Sequence, residues 1–175
     1  FNNLNIFEFR NKMDEILEQC TDIDIKNIQD NDRLYLLYYI REISIPYNIS
    51  VDISYLENDI TYHDTIDLIK ENIEIYDFEK SGLTEFFDYQ DKVFTFELEF
   101  GKIIIAPPTI GLKQCFDQYM LSIDKSLLKE STPFFKYAIY LKPNVNYMSM
   151  EDLDKFKCWF ESDMNKNSFF FLKDL

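Results

Sequence analysis

Chemistry at a protein site needs a nucleophile, a proton relay, a metal-ligand cluster or a phosphate cradle, and this chain offers few of them. Its one histidine, His63, stands next to Asp64 and near Asp67. Imidazole and carboxylate move protons and bind hard cations, so these three residues give the enzymatic reading, a small hydrolase built on His63. In an expected turn, the same imidazole reads as a solvated side chain. Glu97 and Glu99 share one face of an expected strand, roughly 7 Å apart. Glycosidase carboxylates face one another across a cleft, so this pair reads instead as polarity on the outer side of a hairpin. Cys20, Cys115 and Cys158 are scattered, with no CxxC or HxxxH spacing, which excludes the common zinc sites. The three glycines, Gly82, Gly101 and Gly111, are too dispersed for a phosphate loop or a dinucleotide turn. The residues therefore point to no catalytic, cofactor-binding or metal-binding set.

Two groups suit contact with another protein better than catalysis. The chain has only three arginines, and Arg33 and Arg41 lie on one expected helix, roughly 80° apart around its axis. Each guanidinium either ties a helix end to nearby carboxylates or reaches an ion pair on a partner subunit. Near the C-terminus, Ser168 is followed by Phe169, Phe170, Phe171 and Leu172. That run is either a terminal strand docked on the sheet or an apolar anchor for another protein.

The elements that must carry these residues form a chain of 175 residues, 46% hydrophobic and 29% charged. Such a chain can bury about 70% of its unfolded surface without disulfide or metal support. A formal net charge of −14 argues against broad attraction to nucleic acid or to an anionic membrane. The dispersed, odd-numbered thiols suit a reducing compartment. There is no run of about 18 apolar residues, as a spanning helix requires, and no basic-then-apolar leader. The expectation is a soluble chain made in the cytoplasm. Because it opens on Phe1 rather than Met, residues upstream of it are expected. Aromatics reach 17%, which suits interfaces, although the accompanying Ile, Asn and Lys surplus has the look of AT-rich coding.

Periodicity predicts a helix over 5–20, with Ile6, Phe9, Met13, Ile16, Leu17 and Cys20 on one face. A connector follows, with Ile23, Ile25 and Ile28 against the core. A second helix is predicted over 32–44, capped by Asp30 or Asn31 and stopped by Pro46. Its centre, 34–40, is apolar all round, which predicts burial on more than one side. From Ile49 to Tyr55 the period changes to two, a half-buried strand. A turn at 57–59 leads to a second strand from Ile60, and 65–76 is ambiguous. Phe94, Phe96, Leu98 and Phe100 alternate with polar residues and then reach Ile103, Ile104 and Ile105, a hairpin. Thr109 is expected to cap a helix carrying Leu112, Cys115, Phe116, Tyr119, Met120 and Ile123. Thr132-Pro133 is read as the start of a helix over 134–141, and Ser149 to Asp152 as a capping box opening the last helix, with Leu153, Phe156 and Phe160 inward. The sum is one α+β domain over 1–175: an N-terminal helix pair, an antiparallel strand-rich middle with a hairpin near 93–106, and C-terminal helices.

Four segments, Phe7 to Cys20 (FEFRNKMDEILEQC), Asp32 to Ser44 (DRLYLLYYIREIS), Ile103 to Gly111 (IIIAPPTIG) and Trp159 to Leu172, together resemble the baseplate hub assembly proteins of T-even-like contractile-tailed bacteriophages. The second and third are the specific ones. The resemblance implies a late structural or assembly protein of a phage tail, bound to other tail and baseplate proteins of hub or wedge. It implies no nucleic acid, membrane or small-molecule substrate as a partner. Relatives open with an extra strand-forming segment and carry a cysteine pair after the IRE-S helix. Here 51–57 holds no cysteine, so any metal role of that pair is lost.

The expected function is thus a non-enzymatic component of the virion tail baseplate, in or near the hub, made in the host cytoplasm. A transient assembly factor absent from the finished particle is the rival. Aromatic and arginine anchors dominate protein interfaces, which makes Arg33, Arg41, Pro107, Pro108, Thr109, Phe169, Phe170 and Phe171 the expected partner-binding residues.

Overall fold

A computed structural model describes residues 6–44, 49–57, 60–68, 78–99, 101–162 and 164. The fold is α+β. Helix α1 (Ile6–Cys20) is followed by two single 3₁₀ turns (Ile25–Asn27 and Asp30–Asp32) and helix α2 (Arg33–Ser44). Strands β1 (Ile49–Glu57) and β2 (Ile60–Leu68) come next. After two further 3₁₀ turns (Phe78–Ser81 and Thr84–Phe86) the chain forms β3 (Phe87–Asp88), β4 (Val93–Leu98) and β5 (Gly101–Ile105). Helices α3 (Ile110–Ser122) and α4 (Lys125–Tyr137), a 3₁₀ turn (Ala138–Leu141) and helix α5 (Met150–Ser162) complete it. No described helix is long and apolar enough to cross a membrane.

The strands form two separate antiparallel sheets. Among the described residues β1 pairs with β2, from Ile49 opposite Leu68 to Glu57 opposite Ile60, and the second sheet has the order β3-β4-β5. Where the sequence pattern suggested one domain, the backbone divides into two compact units, one of Phe1–Leu37 with Glu85–Leu175 and one of Tyr38–Thr84. Period-two patterning identifies strands but does not specify which of them pair, so this division is not written in it. The β4–β5 hairpin stands where alternation placed it, with Phe94 opposite Ile105, Phe96 opposite Ile103 and Leu98 opposite Gly101. Two expectations here change. His63 lies within strand β2, opposite Ser54, not in a turn. Glu99 falls beyond the end of β4, so Glu97 and Glu99 are not two positions of one strand.

The main core cluster of the larger unit is rich in aromatics and comes from α3, α4, the 3₁₀ turn at Ala138–Leu141 and α5. Thr109 caps α3, its hydroxyl oxygen accepting the Leu112 amide at 3.2 Å. Leu112, Cys115, Phe116 and Tyr119 are then buried in the order the stripe required. Phe116 stacks on Phe134 of α4 with centroids 5.3 Å apart, and Phe134 meets the rings of Phe156 and Phe160 of α5 edge-on at 5.6 and 5.7 Å. Each such burial stabilises by about 1.5–3 kcal/mol. Ser149 opens α5 as a capping residue, accepting the Asp152 amide at 3.1 Å and donating its hydroxyl to the Asp152 carboxylate at 2.7 Å. That hydroxyl is the main reason the Asp152 carboxyl sits below its ordinary value.

The expected break at Thr132-Pro133 is absent. Helix α4 starts earlier, at the Asp124 cap, whose carboxylate accepts the Ser126 amide at 2.8 Å, and it runs through Pro133. Thr132 donates its hydroxyl back to the Leu128 carbonyl at 3.1 Å. Pro133 costs one amide hydrogen bond, and the complete burial of Phe134 in the next position offsets that loss.

The N-terminal helices depart further from the pattern. Of the predicted α1 face, Met13 and Leu17 are buried, while Ile6, Phe9, Ile16 and Cys20 are exposed. Ile25 is buried and Ile23 exposed. Helix α2, predicted to be buried on more than one side, buries only Arg33 and exposes Leu34, Tyr35, Tyr39 and Ile43. It ends at Ser44, and the expected stop at Pro46 lies outside the described residues, as does most of the turn at 57–59.

Candidate functional site

Arg33 occupies the first position of α2 and is 4% exposed. Its Nε donates to Asp14 Oδ1 of α1 at 2.7 Å, its Nη2 reaches Asp14 Oδ2 at 3.4 Å, and its Nη1 pairs with Asp30 at 2.7 Å. Gln114 of α3 donates to Asp14 Oδ2 at 2.8 Å. One guanidinium thus clamps α1 and the 3₁₀ turn before α2, and through Asp14 it reaches α3. A second link runs beside it: Arg10 donates to Asp117 at 3.0 Å, and Lys113 reaches the other Asp117 oxygen at 2.9 Å. Sequence reasoning missed Arg10 because its partner lies more than a hundred positions away, on α3. The expectation that Arg33 anchors a partner is corrected: its donors are engaged inside the fold. The structure gives it the helix-tying role instead. Arg41 is half-buried and pairs with the adjacent Glu42.

The Pro107-Pro108-Thr109 turn is likewise structural at its centre. Pro108 is buried and its carbonyl accepts the Asp30 amide at 2.8 Å. Ile110 donates to Ile28 O at 2.8 Å, and Gln29 bridges to Thr109 in antiparallel fashion. Gly111 completes the lock: a Cβ there would lie 2.5 Å from the Asn146 carbonyl oxygen and 2.9 Å from Lys26 Cβ. Pro108 is therefore not available to a partner, because it seals the joint between the 28–30 segment and α3. Pro107 and Thr109, half-buried, remain at the surface. Phe169, Phe170 and Phe171 lie outside the described residues.

Among the exposed large apolar side chains are Leu34, Tyr35, Tyr39 and Ile43 of α2. Tyr35, Tyr39 and Ile43 recur every fourth residue along α2, so they form one stripe. Ile43 is 69% exposed. The signal for this stripe was in the sequence, since a helix apolar all round has more apolar surface than one packing face can cover.

Nothing in these helices resembles an acid–base pair. Among the described residues no group of three or more His, Cys, Asp and Glu side chains is placed to hold a metal ion. Among the described residues the strongly perturbed group is Tyr119, whose phenol is held above the usual range first by burial and then by the hydrogen bond it donates to Asp154. A neutral phenol bonded to a carboxylate ties α3 to α5 and offers no base. Helix α2 and its clamp therefore offer an apolar surface held by ion pairs. No family model, no curated protein and no solved structure matches this chain.

Proposed function

We propose that this chain is a non-enzymatic, protein-binding component of a bacteriophage contractile-tail baseplate, in or near the central hub. The observation that carries the reading is α2, which exposes Leu34, Tyr35, Tyr39 and Ile43 and buries only Arg33. Exposed tyrosines are frequent anchors of a protein interface, and apolar neighbours complete its core. These side chains of α2 fall in the same segment, Asp32 to Ser44, that carries the specific part of the resemblance to baseplate hub assembly proteins. The clamp at Arg33 fixes the start of the helix by polar contacts, which leaves its apolar side for another subunit.

The test is recovery of tagged chain from phage-infected cells, with mass spectrometry of the co-purifying proteins and of purified particles. Baseplate proteins in the pull-down, with the chain itself at fixed copy number in particles, are the expected result. The same partners with the chain absent from particles would make it an assembly factor. A chain that comes down alone would sink the baseplate reading in both forms.

A further inference from the structure

Beside the Pro107–Thr109 turn lies a cavity of about 710 Å³, within the size range of small-ligand sites. The backbone of the turn and its neighbours is paired: Asp30 donates to Pro108 O, Ile110 to Ile28 O and Ala106 to Tyr140 O, at 2.8, 2.8 and 3.0 Å. Pro107 and Pro108 have no amide to offer. Those groups are closed to an added strand, so recognition beside the turn falls to side chains.

Those side chains are of two kinds. Planar amides come from Asn27, Gln29, Asn144 and Asn146. The Asn146 side chain donates to Asn27 Oδ1, and Asn27 Nδ2 donates in turn to Asp24 at 2.9 Å, so both amides are oriented. Gln29 and Asn144 make no side-chain hydrogen bond among the described residues. The second kind is aromatic. Phe87 meets Tyr89 edge-on with centroids 5.0 Å apart, and Tyr89 is 66% exposed. The Asp88 carboxylate accepts the amides of Gln90 and Asp91 at 2.8 and 3.1 Å, which fixes the turn that displays Tyr89.

Two lining residues that are not glycine, Lys92 and Asn144, have left-handed backbone, with φ of 56° and 59°. Such conformations persist where the surroundings enforce them and gather at ligand sites. Among the described residues Asp32 and Lys92 are the charged side chains lining the cavity, one of each sign. With a chain at −14, anionic ligands are repelled, and one carboxylate is too little for a cation. Among the described residues no histidine or thiol lines the cavity, and its side chains suit binding by hydrogen bonds and ring contact.

We propose that this cavity binds an uncharged oligosaccharide. Amides donate and accept at once, as sugar hydroxyls do, and the C–H face of a pyranose ring lies against an exposed tyrosine ring. The proposal stands independently of the baseplate reading.

The test is an NMR titration of the full chain with tri-N-acetylchitotriose and, separately, maltotriose, each to about 10 mM. Saturable shifts around the cavity with a Kd on the order of 1 mM are expected for at least one sugar. Tyr89→Ala should weaken that binding about tenfold. Asn144→Gly, which keeps the left-handed backbone and removes the amide, should weaken it too. Tyr147→Ala, exposed and outside the cavity, should leave it unchanged, with far-UV circular dichroism confirming the fold of all three. Absence of shifts with both sugars overturns the proposal, as does unaltered affinity in Tyr89→Ala and Asn144→Gly. If tri-alanine shifts the same resonances and neither sugar does, the site belongs to an extended peptide and the saccharide assignment is wrong.

Discussion

Helices α3 to α5 and helix α2 use the same kinds of residue to opposite ends. In the first group Phe116, Phe134, Phe156 and Phe160 turn inward and close on one another. In α2, also rich in apolar residues, Tyr35, Tyr39 and Ile43 face out and the buried residue is an arginine. The bundle is held by area removed from water, and the start of α2 by an ion pair of fixed geometry. An apolar helix therefore does not by itself mark a core. What distinguishes the two is whether neighbouring segments supply complementary apolar faces, and around Arg33 they supply Asp14 and Asp30 instead.

The largest effect should come from the bundle. Phe134 is fully buried and touches the rings of Phe116, Tyr119, Phe135, Phe156 and Phe160. Phe134→Ala should cost about 3–5 kcal/mol in urea unfolding, the transfer term plus an unfilled cavity. A loss below about 1 kcal/mol would mean that the aromatic cluster is not the core.

The clamp should come next. Arg33→Ala leaves the Asp14 carboxylate buried beside Gln114 with no cation, and breaking one side of a buried pair costs about 3 kcal/mol. Replacing both, Arg33→Met with Asp14→Leu, should recover most of that loss, because the paired charges also carry a desolvation penalty. A double variant as unstable as the single one would show that the guanidinium acts through contacts other than Asp14.

The parts of the fold that were legible in the sequence are the ones settled within a few residues. Thr109 reaching Leu112, Ser149 reaching Asp152, and Phe96 opposite Ile103 each depend on short-range geometry. Thr132-Pro133 misled because a proline at a helix start and one inside a helix look alike locally. The deciding residue was Asp124, eight positions upstream. The candidate site was harder to read. Nothing near Arg33 announces Asp14, and the burial of Pro108 depends on the 28–30 segment, which arrives from a distant part of the chain. The outward turn of Tyr35 and Tyr39 belongs to a helix apolar all round, a pattern that fits burial on several sides and an exposed apolar face equally well.

A smaller effect belongs to the Ser149 cap. Ser149→Ala removes the acceptor for the Asp152 amide and should cost about 1 kcal/mol. It also sets a pH dependence. The Asp152 carboxyl is depressed in the folded chain, chiefly by the Ser149 hydroxyl. A depressed carboxyl contributes stability that is present above its unfolded value, about 3.9, and is lost as pH falls through the folded value. Stability measured from pH 6 downward should therefore fall less steeply below about 4 in Ser149→Ala than in the parent chain. Equal slopes would mean that the hydroxyl does not hold the carboxylate.

The smallest expected change in stability is the one that tests α2 most directly. Tyr35 and Tyr39 are exposed, so Tyr35→Ser with Tyr39→Ser should alter unfolding of the isolated chain by about 0.5 kcal/mol or less per site. If these rings are anchors, the same pair should abolish recovery of baseplate proteins from infected cells, since truncating a central aromatic commonly costs about 2 kcal/mol or more of binding. The two readouts then separate in α2 and move together in Phe134→Ala, where lost binding would follow lost folding. A destabilisation of about 2 kcal/mol or more in the tyrosine pair would show that α2 packs within its own chain. Unchanged recovery with unchanged stability would leave the exposed tyrosines without a partner and remove the observation on which the interaction reading rests.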